Sequence, residues 1–269
     1  VNVSFHLCQA GAASCGACCG QFNFEDHSRE AISAELRRHT HALSFVPRTP
    51  EAFHAAAAGL RASAPRTLFP LVRVCPLLGF LDGAETRVGC LAHPAVTGGV
   101  ELRDCGVYTA DICESFTCPS FTWLDDGLAT LVRDACPDWY TYGLVMPDVE
   151  FLRGVMDLLT RTLCRPITPA ELARKAFPEV AALLSLKANA PGRPTRGRVF
   201  GRFEDGGEED PVLRTLDASA LGRTAAPEDL LVLCIGYAPA DGEALDRARA
   251  VVRGAVEAVV AALSRGEAA

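Results

Sequence analysis

The chain has 269 residues, 49 % of them hydrophobic, which is enough for one large domain or two modest ones without covalent staples. A formal net charge of −7 argues against a general nucleic-acid binder, which must neutralise many phosphates with Lys and Arg. No apolar run reaches the roughly 18 residues of a membrane span, so no membrane partner is expected.

The 12 cysteines therefore call for a chemical explanation. Nine lie at or before Cys118, whereas Cys136, Cys164 and Cys234 are isolated, and all six histidines fall by His93. The stretch from Val1 to Cys8 is too short, and lacks the basic residues, for an export or lipid-attachment signal. The expectation is a cytoplasmic protein with reduced thiols, which point to metal or redox chemistry.

In chain order, the first feature is Cys15-Gly-Ala-Cys18-Cys19-Gly20. Two thiolates three residues apart in a tight turn can reach one metal, and the glycines permit that turn. The third, adjacent thiolate points elsewhere, to a cluster corner or a second site. Cys8 fits either a ligand or a structural reading. Residues 26–41 predict a helix with Ile32, Leu36 and His39 or Leu43 on one face, and residues 51–62 a shorter Ala-rich one. His39 and His41 fall near the first helix's end, where they suit its dipole. His27 has no obvious partner.

Leu71 to Cys75 reads as a brief strand or extended loop. From there to Cys118 the sequence is rich in Gly, Pro, Asp and Thr with little period, a length of irregular chain that needs something to order it. It carries Cys75, Cys90, Cys105, Cys113 and Cys118. With Cys15, Cys18 and Cys19 these make eight candidate metal ligands, enough for two four-thiol sites or one with spare cysteines. His93, three residues after Cys90, fits a metal ligand, but His93-Pro94 in a loop reads better as a turn element.

After Cys118 the pattern turns helical: residues 120–136, then 148–163 with Asp148 as N-cap, then a helix opened by Thr168-Pro-Ala-Glu171, running to about Leu186 with a break at Pro178. Asp138, Trp139, Tyr140 and Tyr142 suit a pocket or an aromatic core. Residues 188–212 read as a surface loop in which Arg193, Arg196, Arg198 and Arg202 are balanced by the acidic run from Glu204 to Asp210. Leu230 to Tyr237 reads as a strand, and residues 242–263 as an amphipathic helix. Cys136, Cys164 and Cys234 read as small buried hydrophobes. The expected fold is mainly α with minor β: an irregular cysteine-rich metal-binding region over residues 1–120, packed against a mainly helical region over residues 121–269.

The CxxCC opening, Cys75-Pro-Leu-Leu, Cys105-Gly-Val-Tyr108 and the closing Cys113 and Cys118 together resemble the YkgJ-type family of zinc- or iron-chelating proteins. The resemblance covers roughly residues 8–120 and implies ligation by Cys15, Cys18, Cys19, Cys75, Cys90 or Cys105, Cys113 and Cys118. The sequence departs from the family in having only Cys8 ahead of Cys15, no Arg-Pro after Tyr108, and an apparent insertion from Cys90 to Gly99. The cysteine region is also similar to that of flagellin lysine-N-methylases, which implies a link to S-adenosylmethionine, although no glycine-rich GxGxG loop is present.

Three functions follow as expectations. The first is a protein carrying a cysteine-ligated iron–sulfur cluster, 4Fe–4S favoured over zinc, in a structural or redox role. An adjacent Cys-Cys is awkward for a single tetrahedral ion, and the ligands come from distant segments. The second is an S-adenosylmethionine-dependent protein methylase. The third is a zinc-stabilised interaction module with a protein partner.

Overall fold

A tight turn at Gly11, with φ +66°, folds the chain start into a hairpin of β1 (Gln9–Ala10) and β2 (Ala13–Ser14), and a 3-10 turn over Ala17–Cys19 follows. The computed structural model describes residues 3–136, 138–207 and 211–265 and is mainly helical with short strands. Side-chain caps start the next two helices. Ser28 accepts from Ala31 N ahead of α1 (Arg29–Ser44), and Thr49 from Ala52 N ahead of α2 (Pro50–Ala62).

The expected strand or loop before Cys75 is a loop, held in place by Asn23. Its amide donates to the carbonyls of Phe69 and Val72 at 3.0 and 2.7 Å and accepts from Phe69 N at 2.8 Å. A hairpin of β3 (Leu78–Phe80) and β4 (Val88–Cys90) packs on α1. His39 is buried there and not simply a helix-end residue: its Nδ1 lies 2.8 Å from the Leu78 carbonyl and its Nε2 3.1 Å from Glu35. Short helices α3 (Pro94–Thr97) and α4 (Ala110–Ser115) flank a 3-10 turn at Arg103–Cys105. His93 is the N-cap of α3, its Nδ1 accepting from Ala95 N.

The helix expected over residues 120–136 is two, α5 (Pro119–Trp123) and α6 (Asp126–Ala135), because Asp125 caps Leu128 N at 2.7 Å and starts the chain afresh. Then come α7 (Trp139–Val145), entirely buried, and α8 (Val149–Leu163), capped by Asp148. Thr168 caps α9 (Pro169–Lys175). The break falls at Ala176, leaving Pro178 in the first turn of α10 (Phe177–Asn189), where a missing N–H costs nothing.

Residues 188–212 are more structured than a solvated loop. They contribute β5 (Val199–Phe200) and β6 (Phe203–Glu204), and β6 pairs on one side with β5 and on the other with β7 (Val212–Leu213). Arg196 pairs with Asp26 at 2.7 Å, Arg198 with Asp205 at 3.4 Å, and Arg202 with Glu150 at 3.2 Å, while Arg193 donates to the Ile235 carbonyl. Glu208, Glu209 and Asp210 of the acidic run lie outside the described residues.

The strand expected at residues 230–237 is helix α11 (Asp229–Ile235), ended by Gly236 at φ +100°. A short apolar run fits a strand or an enveloped helix equally. Packing between α8, α10 and α12 (Gly242–Arg265) decides for helix. The last helix buries Leu245, Val252, Val256, Val259 and Leu263, each stabilising by roughly 1.5–3 kcal/mol relative to exposure.

The two regions share their cores. Val3, Leu7 and Ala13 sit among the C-terminal helices, and Trp139, Tyr140 and Leu144 pack with Phe22, Ile32 and Phe80. Asp138 caps α7, and its aromatic neighbours are core: Tyr140 donates to the His27 carbonyl and Tyr142 to the Leu7 carbonyl, both at 2.8 Å. Among the described residues, no helix is long and apolar enough to cross a membrane.

Candidate metal centre

The first hairpin sets the first thiol group. Cys8 and Cys15 form the next pair outward from Gln9 and Ser14, and Cys15 N donates to the Cys8 carbonyl at 3.1 Å. The 3-10 turn then reverses the chain with bonds from Cys19 N to Gly16 O and from Gly20 N to Ala17 O. Two glycines are required here. A Cβ on Gly16 would stand 2.4 Å from Gln21 Oε1, and one on Gly20, whose φ is +79°, 2.3 Å from the Arg73 carbonyl. Cys18 neighbours Cys118, the residue preceding α5.

Cys19, one residue on, belongs to a different neighbourhood. Cys75 N donates to its carbonyl at 2.9 Å, Cys90 ends β4 opposite Leu78, and Cys113 lies in α4.

The electrostatics divide the thiols the same way. Burial, then the charge of Cys118, pushes Cys8 up to about 11. Burial, then Cys8, raises Cys15, with Cys118 adding to the rise. The proximity of Cys18 and Cys118 raises the first and lowers the second. Cys19 is raised by burial and then by Cys75, Cys90 and Cys113, and burial pushes Cys90 up to about 12, with Cys75 and Cys113 adding to it. Two groups emerge: Cys8, Cys15, Cys18 and Cys118, and Cys19, Cys75, Cys90 and Cys113. Cys19 also feels Cys8, so the groups are neighbours. Four thiolates cannot ionise side by side without a compensating cation.

Backbone amides oppose the burial. Ala17 N–H donates to the Cys15 sulfur at 3.4 Å, and the nearby backbone amides of Leu77 and Val107, of Ala92 and of Ser120 work against the rise at Cys75, Cys90 and Cys118. All but Val107 lie two residues after the cysteine they act on. An N–H aimed at sulfur favours the thiolate, the form that binds metal.

As the side chains stand, no three His, Cys, Asp or Glu residues among those described are gathered closely enough to hold one metal ion. The thiols sense one another's charge without the close approach of four sulfurs about 2.3 Å from a single zinc.

Of the eight candidate ligands, the structure brings seven into these groups. Cys105 stands apart: its sulfur donates to the Pro50 carbonyl at 3.4 Å, and burial, Asp104 and Glu51 raise it, with no thiol contributing. Cys8 takes the eighth place. The signal for it was the hairpin, since Gly11 between short apolar and polar residues is the kind of turn that would pair Cys8 with Cys15. Cys136 and Cys234 are buried in the helical core, whereas Cys164 is exposed at a helix end with φ 53° and is not a small buried hydrophobe.

Compared with known proteins, the chain matches no family model, no curated protein and no solved structure. The functional reading rests on the thiols alone.

Proposed function

We propose that the protein binds two neighbouring iron–sulfur clusters, one held by Cys8, Cys15, Cys18 and Cys118 and the other by Cys19, Cys75, Cys90 and Cys113. The observation that carries the reading is that the thiols fall into two neighbouring sets of four whose charges act on one another. Hydrogen bonds to ligating sulfurs stabilise thiolates and tune a cluster's potential. The donor set fits: it is all thiolate, and raised thiol pKa values mean that a bound cation must displace protons. Buried Gln21, directly after the CxxCC loop, has both amide atoms without a protein partner, which suits a site that takes up a polar inorganic group.

All-thiolate ligation from distant segments and the adjacent Cys18-Cys19 pair, awkward for a single tetrahedral ion, favour clusters of the 4Fe–4S type over zinc. When bound, such clusters supply one-electron redox chemistry. The chain's own part is to place the two groups one peptide bond apart at Cys18 and Cys19, a separation that suits electron exchange between them. Membership of the YkgJ-type family is part of this proposal. Zinc and a methylase activity stay as the competing readings.

Anaerobic purification followed by metal and sulfide analysis tests it. Iron and acid-labile sulfide in equal amounts, with broad visible absorption bleached by dithionite, is the expected result. A colourless protein with stoichiometric zinc would overturn it.

A further inference from the structure

Beside the first thiol group lies a cavity of about 660 Å³, within the range of small-molecule sites. Its floor includes Ala17 and Gly20 of the CxxCC loop and Pro119, which follows Cys118. Gly143 lines it too, and a Cβ there would stand 3.8 Å from the Cys15 sulfur. The walls are apolar, with Phe22, Phe69, Leu144 and Phe200 from both regions of the chain. Such a surface favours a flat or branched apolar body.

The charged lining is unbalanced. Asp148 and Glu150 face Lys187, Arg153 and Arg202. Lys187 is 4 % exposed and gives Asp148 and the Cys234 carbonyl two of its three donors, at 2.7 and 2.6 Å. Glu150 alone serves both guanidinium groups, Arg202 at 3.2 Å and Arg153 at 4.0 Å, while Arg153 also lies over the exposed ring of Trp123 at 4.5 Å. Among the described residues, one cation is therefore left over. The Nε of Arg202 is buried without any hydrogen-bond partner, a state that costs free energy until an acceptor arrives. A planar guanidinium fork matches carboxylate and phosphate oxygens.

We propose that this cavity binds an amphipathic anion, its apolar body held among Phe22, Phe69, Leu144 and Phe200 and its oxyanion on Arg202. The site stands on the cavity and its charges, and does not depend on the clusters. A ligand there would lie against the loop carrying Cys15 and Cys18, so it would also report on, or react beside, the first thiol group.

The test uses the full chain as purified, titrated by fluorescence with 1-anilinonaphthalene-8-sulfonate and with its uncharged counterpart N-phenyl-1-naphthylamine. One saturable site per chain is expected for the anion. Arg202→Gln should weaken it about tenfold or more while leaving the neutral probe unchanged, the loss expected for one charge-assisted hydrogen bond. Val72→Trp, which fills the cavity from its rim, should abolish binding of both probes. Competition by 1-naphthoate and 1-naphthyl phosphate then separates carboxylate from phosphate ligands. Equal affinity for the neutral probe together with indifference to Arg202→Gln would overturn the anion assignment. Many weak sites, or binding that survives Val72→Trp, would overturn the cavity itself. Both Arg202→Gln and Val72→Trp must keep the wild-type circular dichroism and thermal midpoint. If Arg202→Gln does not, Arg202→Lys replaces it and should weaken the anion less, because it keeps the charge and loses only the fork.

Discussion

Cys18 and Cys118 are neighbours that shift each other's titration in opposite directions, so a loop near the chain start meets the N-cap residue of α5. Cys19, its neighbour in sequence, faces Cys75, Cys90 and Cys113 instead. If each group holds its own cluster, Cys118→Ser should lower bound iron and sulfide to half the wild-type content, and so should Cys113→Ser, with the two variants losing different electron paramagnetic resonance signals. Complete loss in both would mean a single shared centre.

Cys8 and Cys105 separate the structural assignment from the sequence motif. Cys8→Ser should lower iron content as Cys118→Ser does. Cys105→Ser should retain full iron, because its sulfur donates to the Pro50 carbonyl and no thiol shifts its titration. Iron analysis of the two variants, purified side by side without oxygen, decides the matter.

Gly20 joins the two groups. Its φ of +79° and the 2.3 Å approach that a Cβ would make to Arg73 O predict that Gly20→Ala destabilises by at least about 2 kcal/mol and pulls Cys19 away from Cys75. The control is Gly254, exposed within α12 with nothing within 4 Å of an added Cβ. There Gly→Ala should stabilise by about 0.5–1 kcal/mol. Urea unfolding of both variants gives the comparison.

His27 makes stability fall in mild acid. Its ring is 1 % exposed and edge-on to Phe200 at 5.3 Å, and burial followed by the charge of Arg193 holds its pKa down to about 4. The unfolded chain takes up this proton near pH 6.5, whereas the native state resists until about 4. Stability is therefore present above pH 6.5 and is lost as the pH falls towards 4, by about 3 kcal/mol at most. Urea midpoints measured across this window should drop for the wild type and stay flatter for His27→Gln.

Lys187→Met should cost about 3 kcal/mol, since it strips Asp148 and the Cys234 carbonyl of a buried cation. Cys234→Ala removes only a small buried side chain; it should cost about 1 kcal/mol and leave the iron content unchanged. Chemical denaturation with parallel iron analysis checks both expectations.

Helix starts were readable because capping is local: Asp148 and Thr168 act on amides within three residues of themselves. The apolar run from Leu230 misled because a segment buried on every side loses the periodicity that tells helix from strand. Cys164 misled because its exposure follows from a helix end, and composition carries no sign of that. The thiols were legible as a set, and their partition was not, since Cys118 comes near Cys18 only once α5 has packed on α8 and Val3 N has bonded the Phe121 carbonyl.

What the sequence by itself determined is a mainly helical chain with clustered thiols on a glycine-framed turn, because turn chemistry, caps and helical periodicity act over a few residues. Only the tertiary structure decided which thiols sense one another's charge, that Cys8 is among them while Cys105 is not, and that a cavity whose described charges leave a surplus guanidinium opens beside them. Those outcomes depend on charges and contacts between segments far apart along the chain, and such forces come into play only once the core has closed.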